Sequence, residues 1–236
     1  MRTSWITAAV AAAALSLSPA AHAVSNAELD TFSAGIEGWF AGGGPLGQVP
    51  SPPPSVVSTG GPAGAGDSFM LITANGTDVA GGRLVAMNAA QWAGNYAAAG
   101  ISSIGMDLRN LGTSDLTIRL YLEDPIPGPP LNEAVTNSSV FLPSGGAWTH
   151  AVFSLAPGNL TVLQGSAATL LSNTTVFRIF NGIAADFPPE RVSGQLGVDN
   201  IQAIPEPETF LLMAGGLLFV AARARRRGAS SRQAHS

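Results

Sequence analysis

Leu116-Thr117-Ile118-Arg119-Leu120-Tyr121-Leu122-Glu123 alternates strictly, with Leu116, Ile118, Leu120 and Leu122 on one side and Thr117, Arg119, Tyr121 and Glu123 on the other. Successive side chains of a strand point to opposite faces, so the stretch predicts a half-buried β-strand with a polar outer face. Just upstream, Ile104, Met106 and Leu108 alternate in the same way against Gly105, Asp107 and Arg109. The turn Asn110-Leu111-Gly112-Thr113-Ser114 between the two runs predicts a hairpin that joins neighbouring antiparallel strands.

Working outward, further short strands are predicted at Ser68 to Thr73, Arg83 to Met87, Ser139 to Leu142, Trp148 to Leu155, Val176 to Asn181 and Leu196 to Gln202. Glycine, proline and asparagine separate them, and no long helical period interrupts. A short helical turn is expected around Ser166 to Leu171. Gly42 to Gly66 carries fourteen Gly or Pro among 25 residues and reads as a long loop; Asp124 to Asn132, with four prolines, reads as a second. No repeat of 20 to 50 residues is present, which excludes a solenoid or propeller. About eight or nine short strands predict an all-β, two-sheet sandwich.

Both ends of the chain lie outside that domain. Arg2, the alanine-rich stretch Ile6 to Leu17 and Ala21-His22-Ala23 have the order of a secretory signal peptide, with cleavage after Ala23. At the other end, Pro205-Glu206-Pro207 precedes the apolar run Phe210 to Ala222 and the cluster Arg223, Arg225, Arg226 and Arg227. As a helix that run of 13 residues would reach roughly 20 Å, short of a ~30 Å hydrocarbon core. The arginines would stay on the cytoplasmic side. Three parts are expected: a signal peptide at 1–23, one β-sandwich ectodomain at 24–203, and a C-terminal signal at 204–236 with a short transmembrane helix.

Residues 204 to 227 resemble the sorting signal of the PEP-CTERM proteins, exported bacterial proteins handled by a membrane transpeptidase-like enzyme called exosortase. The resemblance implies signal peptidase and exosortase as partners during export. It also implies a destination at the cell surface or in the extracellular polysaccharide matrix, with membrane contact only through the sorting helix. A plain C-terminal anchor is the competing reading.

The middle region has five arginines against thirteen acids, a net charge of about −8, and the whole chain has no lysine. Nucleic acid is excluded as a partner, because phosphate binding needs a basic footprint. The absence of cysteine removes disulfides, thiolate metal sites and cysteine nucleophiles. His150 is the one histidine of the middle region; it sits on a predicted strand beside Trp148 and Val152 with no G-x-S-x-G elbow, and reads as a strand residue.

Asp30-Thr31-Phe32 with Gly38-Trp39, and Gly197-Val198-Asp199-Asn200-Ile201, resemble the first and last strands of carbohydrate-binding-module-like jelly rolls. That resemblance implies a first strand paired with the last, and a structural calcium ion held by Glu28 or Asp30 together with Asp199. In the competing reading Asp199 caps a turn and Asp30 is solvated. Sugar is usually held by stacking on flat rings. The candidate ligand aromatics are Tyr121, on the polar face of its strand, and Trp92 and Tyr96, in a less regular segment where packing competes with ligand contact. Trp39 and Trp148 read as core. No catalytic residue is assigned, and the expectation is a non-enzymatic surface or matrix protein that contacts extracellular polysaccharide. The alternative is a secreted carbohydrate-active hydrolase built on two of Glu37, Glu123, Glu133 and Glu190, which nothing in the sequence pairs.

Overall fold

The computed structural model of the protein describes residues 24–41, 52–78, 81–124 and 129–206, together with 219. The expected signal peptide with its cleavage residue Ala23, Pro207, the arginine cluster and, apart from Phe219, the apolar run at 210–222 lie outside the described residues. Among those described, no helix is long and apolar enough to cross a membrane.

The chain is all-β, as its alternating stretches require. Twelve strands are described: β1 (Leu29–Asp30), β2 (Ser55–Val57), β3 (Phe69–Asn75), β4 (Val85–Asn88), β5 (Ile101–Asn110), β6 (Leu116–Asp124), β7 (Asn132–Thr136), β8 (Val140–Leu142), β9 (Thr149–Ser154), β10 (Leu160–Gln164), β11 (Val176–Asn181) and β12 (Ser193–Pro205). A single helical turn, α1 (Ala167–Ser172), stands where it was expected, and the Ser166 hydroxyl caps it by accepting from the Thr169 N–H. β7 and β10, and the short β2 inside the Gly/Pro-rich loop, were not anticipated, because brief strands beside prolines show too few alternations to register.

The strands form two antiparallel sheets. One has the order β2-β3-β12-β5-β9 with β1 also on β12; the other runs β10-β7-β6-β11-β4 with β8 also on β6. First and last strands pair as expected, through Leu29 opposite Gln202 and Asp30 opposite Ile201. The expected hairpin is corrected, since β5 pairs with β12 and β9 while β6 pairs with β7, β8 and β11. Each of the two strands has a full apolar face. Packing those faces against each other across the sandwich buries both, whereas edge pairing would leave one layer without its cover.

The core lies between the sheets. Leu116, Ile118, Leu120 and Leu122 of β6 face Ile104, Met106 and Leu108 of β5 and Leu196, Val198 and Ile201 of β12 within one buried cluster. At one end Phe177 of β11 is stacked by Trp92 at 5.4 Å and met edge-on by Trp39 at 5.7 Å. Such ring pairs contribute about 0.5–1.5 kcal/mol each beyond the area they bury. Trp148, read as core from its strand, lies instead half-buried on the outer side of β12, edge-on to Phe69 at 5.3 Å. It fits there because Gly197 has no Cβ; one would come within 2.9 Å of its ring.

Candidate functional site

The outward residues of β6, β7 and β11 are not a plain solvated face. Glu123 and Glu133 stand directly opposite each other across β6 and β7, and Arg178 of β11 is the cross-strand partner of Tyr121. The period-two alternation therefore gathers Tyr121, Glu123, Glu133 and Arg178 on one patch. The Tyr121 hydroxyl lies 2.5 Å from Glu133 Oε2 and 2.9 Å from Glu123 Oε2. These two carboxylate oxygens are thus within about 5.5 Å of each other. One phenol hydrogen can be donated to only one of them at a time, and Arg178 Nη2 compensates Glu123 by donating to its Oε1 at 2.5 Å.

A loop closes over the patch. Phe187 stacks on Tyr121 with ring centroids 4.3 Å apart and meets Phe180 edge-on at 5.8 Å. The Arg178 guanidinium carbon sits 4.9 Å from the Tyr121 ring centre and 5.2 Å from that of Phe187. Val135, Val85, Leu163 and Ala185 complete a second, smaller apolar cluster on this side of the sheet. The loop is pinned by Arg119, whose Nε donates to the Gly182 carbonyl, Nη2 to that of Ile183, and Nη1 to those of Thr136 and Asn137. Arg83 Nε also donates to the Pro189 carbonyl, and the Ile183 N–H donates to Glu190.

This environment leaves its mark on the titrating groups. Burial, then hydrogen bonding to Glu133 and the charge of Glu123, hold the Tyr121 phenol well above its ordinary range, so it stays a neutral donor. Burial lowers the Arg119 pKa, and the charge of Glu190 partly offsets that. Arg178 Nε and Nη1 are buried with no hydrogen-bond partner in the protein. Unpaired buried donors are costly, so these two nitrogens are the part of the patch most in need of an acceptor.

The candidate aromatics from the sequence are placed differently from expectation. Tyr121 is on the outward face of β6 but is 1% exposed, because the Phe187 loop covers it. Trp92 and Tyr96 are both fully buried at the end of the core. There Trp92 Nε1 donates to Asp30 Oδ2 at 2.8 Å, and the Tyr96 hydroxyl donates to the Trp92 carbonyl at 2.7 Å. None of the three presents a ring to solvent. Phe187, half-buried on its loop, is the aromatic of this patch that sequence reading missed. Its signal was weak, being a single ring in Asp186-Phe187-Pro188-Pro189 with no periodicity around it.

The expected calcium ligands behave unequally. Asp30 is buried and committed: Oδ2 accepts from the indole N–H of Trp39 at 2.6 Å and of Trp92 at 2.8 Å, and Oδ1 accepts from Gln91 Nε2 at 2.9 Å. Glu28 accepts from the Ser25 hydroxyl at 3.4 Å. Asp199, buried on the outer side of β12, accepts from the Asn200 N–H through Oδ1, while its Oδ2 is buried without a partner. Burial raises the Asp199 pKa to about 7, with the charges of Asp67, Asp107 and Glu37 adding to the rise against the Asn200 N–H bond. Among the described residues no group of three or more His, Asp or Glu side chains is placed to hold a metal ion. Asp199 thus keeps one oxygen without a partner, whereas both oxygens of Asp30 are taken. Nearby, His150 Nδ1 is 2.8 Å from Asp107 Oδ1, and Asp107 Oδ2 accepts from Asn200 Nδ2. The histidine is surface-exposed on its strand, and among the described residues no serine takes part in that chain of contacts.

Residues 203–227 match the family description of the PEP-CTERM protein-sorting motif. The fold is similar to a family 11 carbohydrate-binding module from Clostridium thermocellum solved with a mixed-linked β-1,3-1,4 tetrasaccharide. That match has 21% identity and a TM-score of 0.53, and covers 77% of this chain and 96% of the module. A family 11 module of a cellulosomal cellulase from the same organism matches at 16% identity and a TM-score of 0.51, over 78% of this chain and 96% of that one. An exo-β-agarase matches at 12% identity and a TM-score of 0.53 over 78% of this chain, which spans only 25% of the agarase. No curated protein matches the sequence. The likeness establishes the jelly-roll fold of the β-sandwich, and the match at 203–227 establishes the sorting motif.

Proposed function

We propose that this is an exported, exosortase-sorted protein of the bacterial surface or extracellular matrix that binds polysaccharide and does no chemistry on it. The observation that carries the reading is the junction of a PEP-CTERM sorting motif at 203–227 with a carbohydrate-binding-module-like jelly roll. Within the domain, the binding patch is the outer face of β6, β7 and β11. Phe187 and Glu133, both half-buried, offer an apolar ring and an acceptor, which match the apolar faces and hydroxyls of a sugar. Asp199 is the proposed ligand of a structural calcium ion, with its remaining ligands drawn from oxygens other than those of Asp30.

The test is affinity electrophoresis of the exported protein in gels containing mixed-linked β-glucan, agarose or an acidic exopolysaccharide. Retardation by at least one of them, reduced at least about tenfold in affinity by Phe187→Ala, is expected. Unretarded migration in all of them would refute the binding reading.

One observation favours a second reading. Glu123 and Glu133 share the Tyr121 hydroxyl, so their facing oxygens are no farther apart than the about 5.5 Å used by retaining glycosidases. Against it, Glu123 is buried and paired with Arg178, and Phe187 covers the Tyr121 ring whose hydroxyl the two carboxylates share. Release of reducing sugar from those polysaccharides, abolished by Glu133→Gln, would establish the hydrolase instead.

A further inference from the structure

The Pro205-Glu206-Pro207 triplet does not begin after the domain ends; its first two residues are held by the domain. β12 continues through Pro205, whose partner on β5 is Ile101, and the Glu206 N–H donates to the Gly100 carbonyl at 3.0 Å. Just before them, the Ser102 hydroxyl donates to the Ile204 carbonyl at 3.3 Å, and the Ala203 N–H donates to the Glu28 carbonyl on the β1 side. The strand is therefore held on one edge by β5 as far as Glu206, and on the other by the start of β1 as far as Ala203.

The sequence leaves little slack beyond that point. Only Pro207, Glu208 and Thr209 separate Glu206 from the apolar run that starts at Phe210. Even fully extended, that link reaches no more than about 14 Å. A membrane enzyme that binds the motif as an extended peptide would need its backbone free, yet the Glu206 N–H is held by the Gly100 carbonyl, Pro205 lies in register with Ile101, and the sandwich stands within that short reach.

We infer that exosortase processing is gated by the fold: the end of β12 must peel from β5 before Pro205-Glu206-Pro207 can be bound. This rests on the sorting reading of the tail and adds its regulation. The observed rate is the intrinsic rate multiplied by the fraction of molecules with the strand end open. Strand ends open locally far more often than whole domains unfold, so the gate slows processing without preventing it.

The experiment follows loss of the tail by mass spectrometry, with the full-length chain in membranes that contain an exosortase and a second motif-bearing substrate as internal control. Inserting Gly-Ser-Gly-Ser-Gly-Ser between Ile204 and Pro205 leaves the motif, apolar run and arginines intact but moves them clear of β5. Processing should become at least about fivefold faster. In a second variant, Ser103→Cys with Ile204→Cys places cysteines at register partners across β5 and β12 in a chain that has no other cysteine. Antiparallel partners suit a disulfide. The oxidised form should be processed at least about tenfold more slowly, and reduction should restore the original rate. If the spacer variant and the oxidised variant are both processed at the unmodified rate, the gate does not exist, although the sorting reading stands. If neither the unmodified chain nor the spacer variant loses its tail while the control substrate does, the sorting reading fails and the inference with it.

Discussion

Asp30→Ala is the perturbation whose cost the structure defines most directly. The Asp30 carboxylate is 2% exposed and accepts three N–H donors, two of them the indole groups of Trp39 and Trp92, which are themselves buried. Truncation leaves both indole donors without a partner in the core. Each buried donor left unsatisfied costs about 1–3 kcal/mol, so the two together cost about 4 kcal/mol. Gln91 is only part-buried and can turn to water, so it adds little. A domain of this size loses roughly 2–4 °C of Tm per kcal/mol, and a fall of roughly 12 °C is expected. Asp30→Asn keeps one acceptor and lets the Gln91 amide reorient, so it should lose only the charge assistance, about 2 kcal/mol. The assay is thermal and urea unfolding of the exported protein in excess chelator, with near-ultraviolet circular dichroism reporting the packing of the two tryptophans on Phe177. An Asp30→Ala protein within 1 kcal/mol of the parent would refute the assignment of Asp30 as the shared acceptor of both indoles.

Other consequences can be measured on the same preparation. The Asp199 carboxyl has its pKa raised by burial from 3.8 to about 7, so the native state binds its proton more tightly than the unfolded chain does. In chelator, its contribution to stability should therefore be present below about pH 4 and lost as pH rises to about 7. Asp199→Asn should flatten that part of the profile, and calcium should raise Tm at pH 7 in the parent but not in the variant. Both tyrosines of the chain, Tyr96 and Tyr121, are held above the ordinary phenol range chiefly by burial. Ultraviolet titration should show no tyrosinate before alkaline unfolding, and stability should decline above about pH 10. Arg119→Leu removes a buried guanidinium that serves four carbonyls. It should cost about 3 kcal/mol and speed hydrogen exchange across 182–192, while Arg119→Lys recovers only part of the loss. Intact mass of the exported protein should show residues 1–23 removed, and retention of Met1 would refute the signal-peptide reading.

Alternation along Leu116 to Glu123 was enough to assign an inner and an outer face to β6, because side-chain direction in a strand depends only on the parity of residue number. The same local rule found β3, β5, β9, β11 and β12, and the motif Pro205-Glu206-Pro207 was legible because a sorting signal is read as a linear peptide. Pairing was not legible in this way. The five-residue turn after Asn110 is compatible with a hairpin or with a crossing between layers, and the choice of crossing rests on strands far along the chain. β12 takes one side of β5, and β7 and β11 take the two sides of β6. Exposure was equally nonlocal. Parity placed Tyr121 on the outward face correctly, but a loop more than sixty residues later, pinned by Arg119, decided that the ring meets Phe187 rather than solvent. Asp30 looked like a solvated acid or a metal ligand until Trp39 and Trp92 converged on it, one from nine residues away and one from sixty-two. Sequence by itself determined what is set by single residues and their immediate neighbours: strand direction, facing, punctuation and address. Tertiary structure decided what depends on who lies opposite, because burial and hydrogen-bond partnership belong to pairs of segments and not to either segment alone.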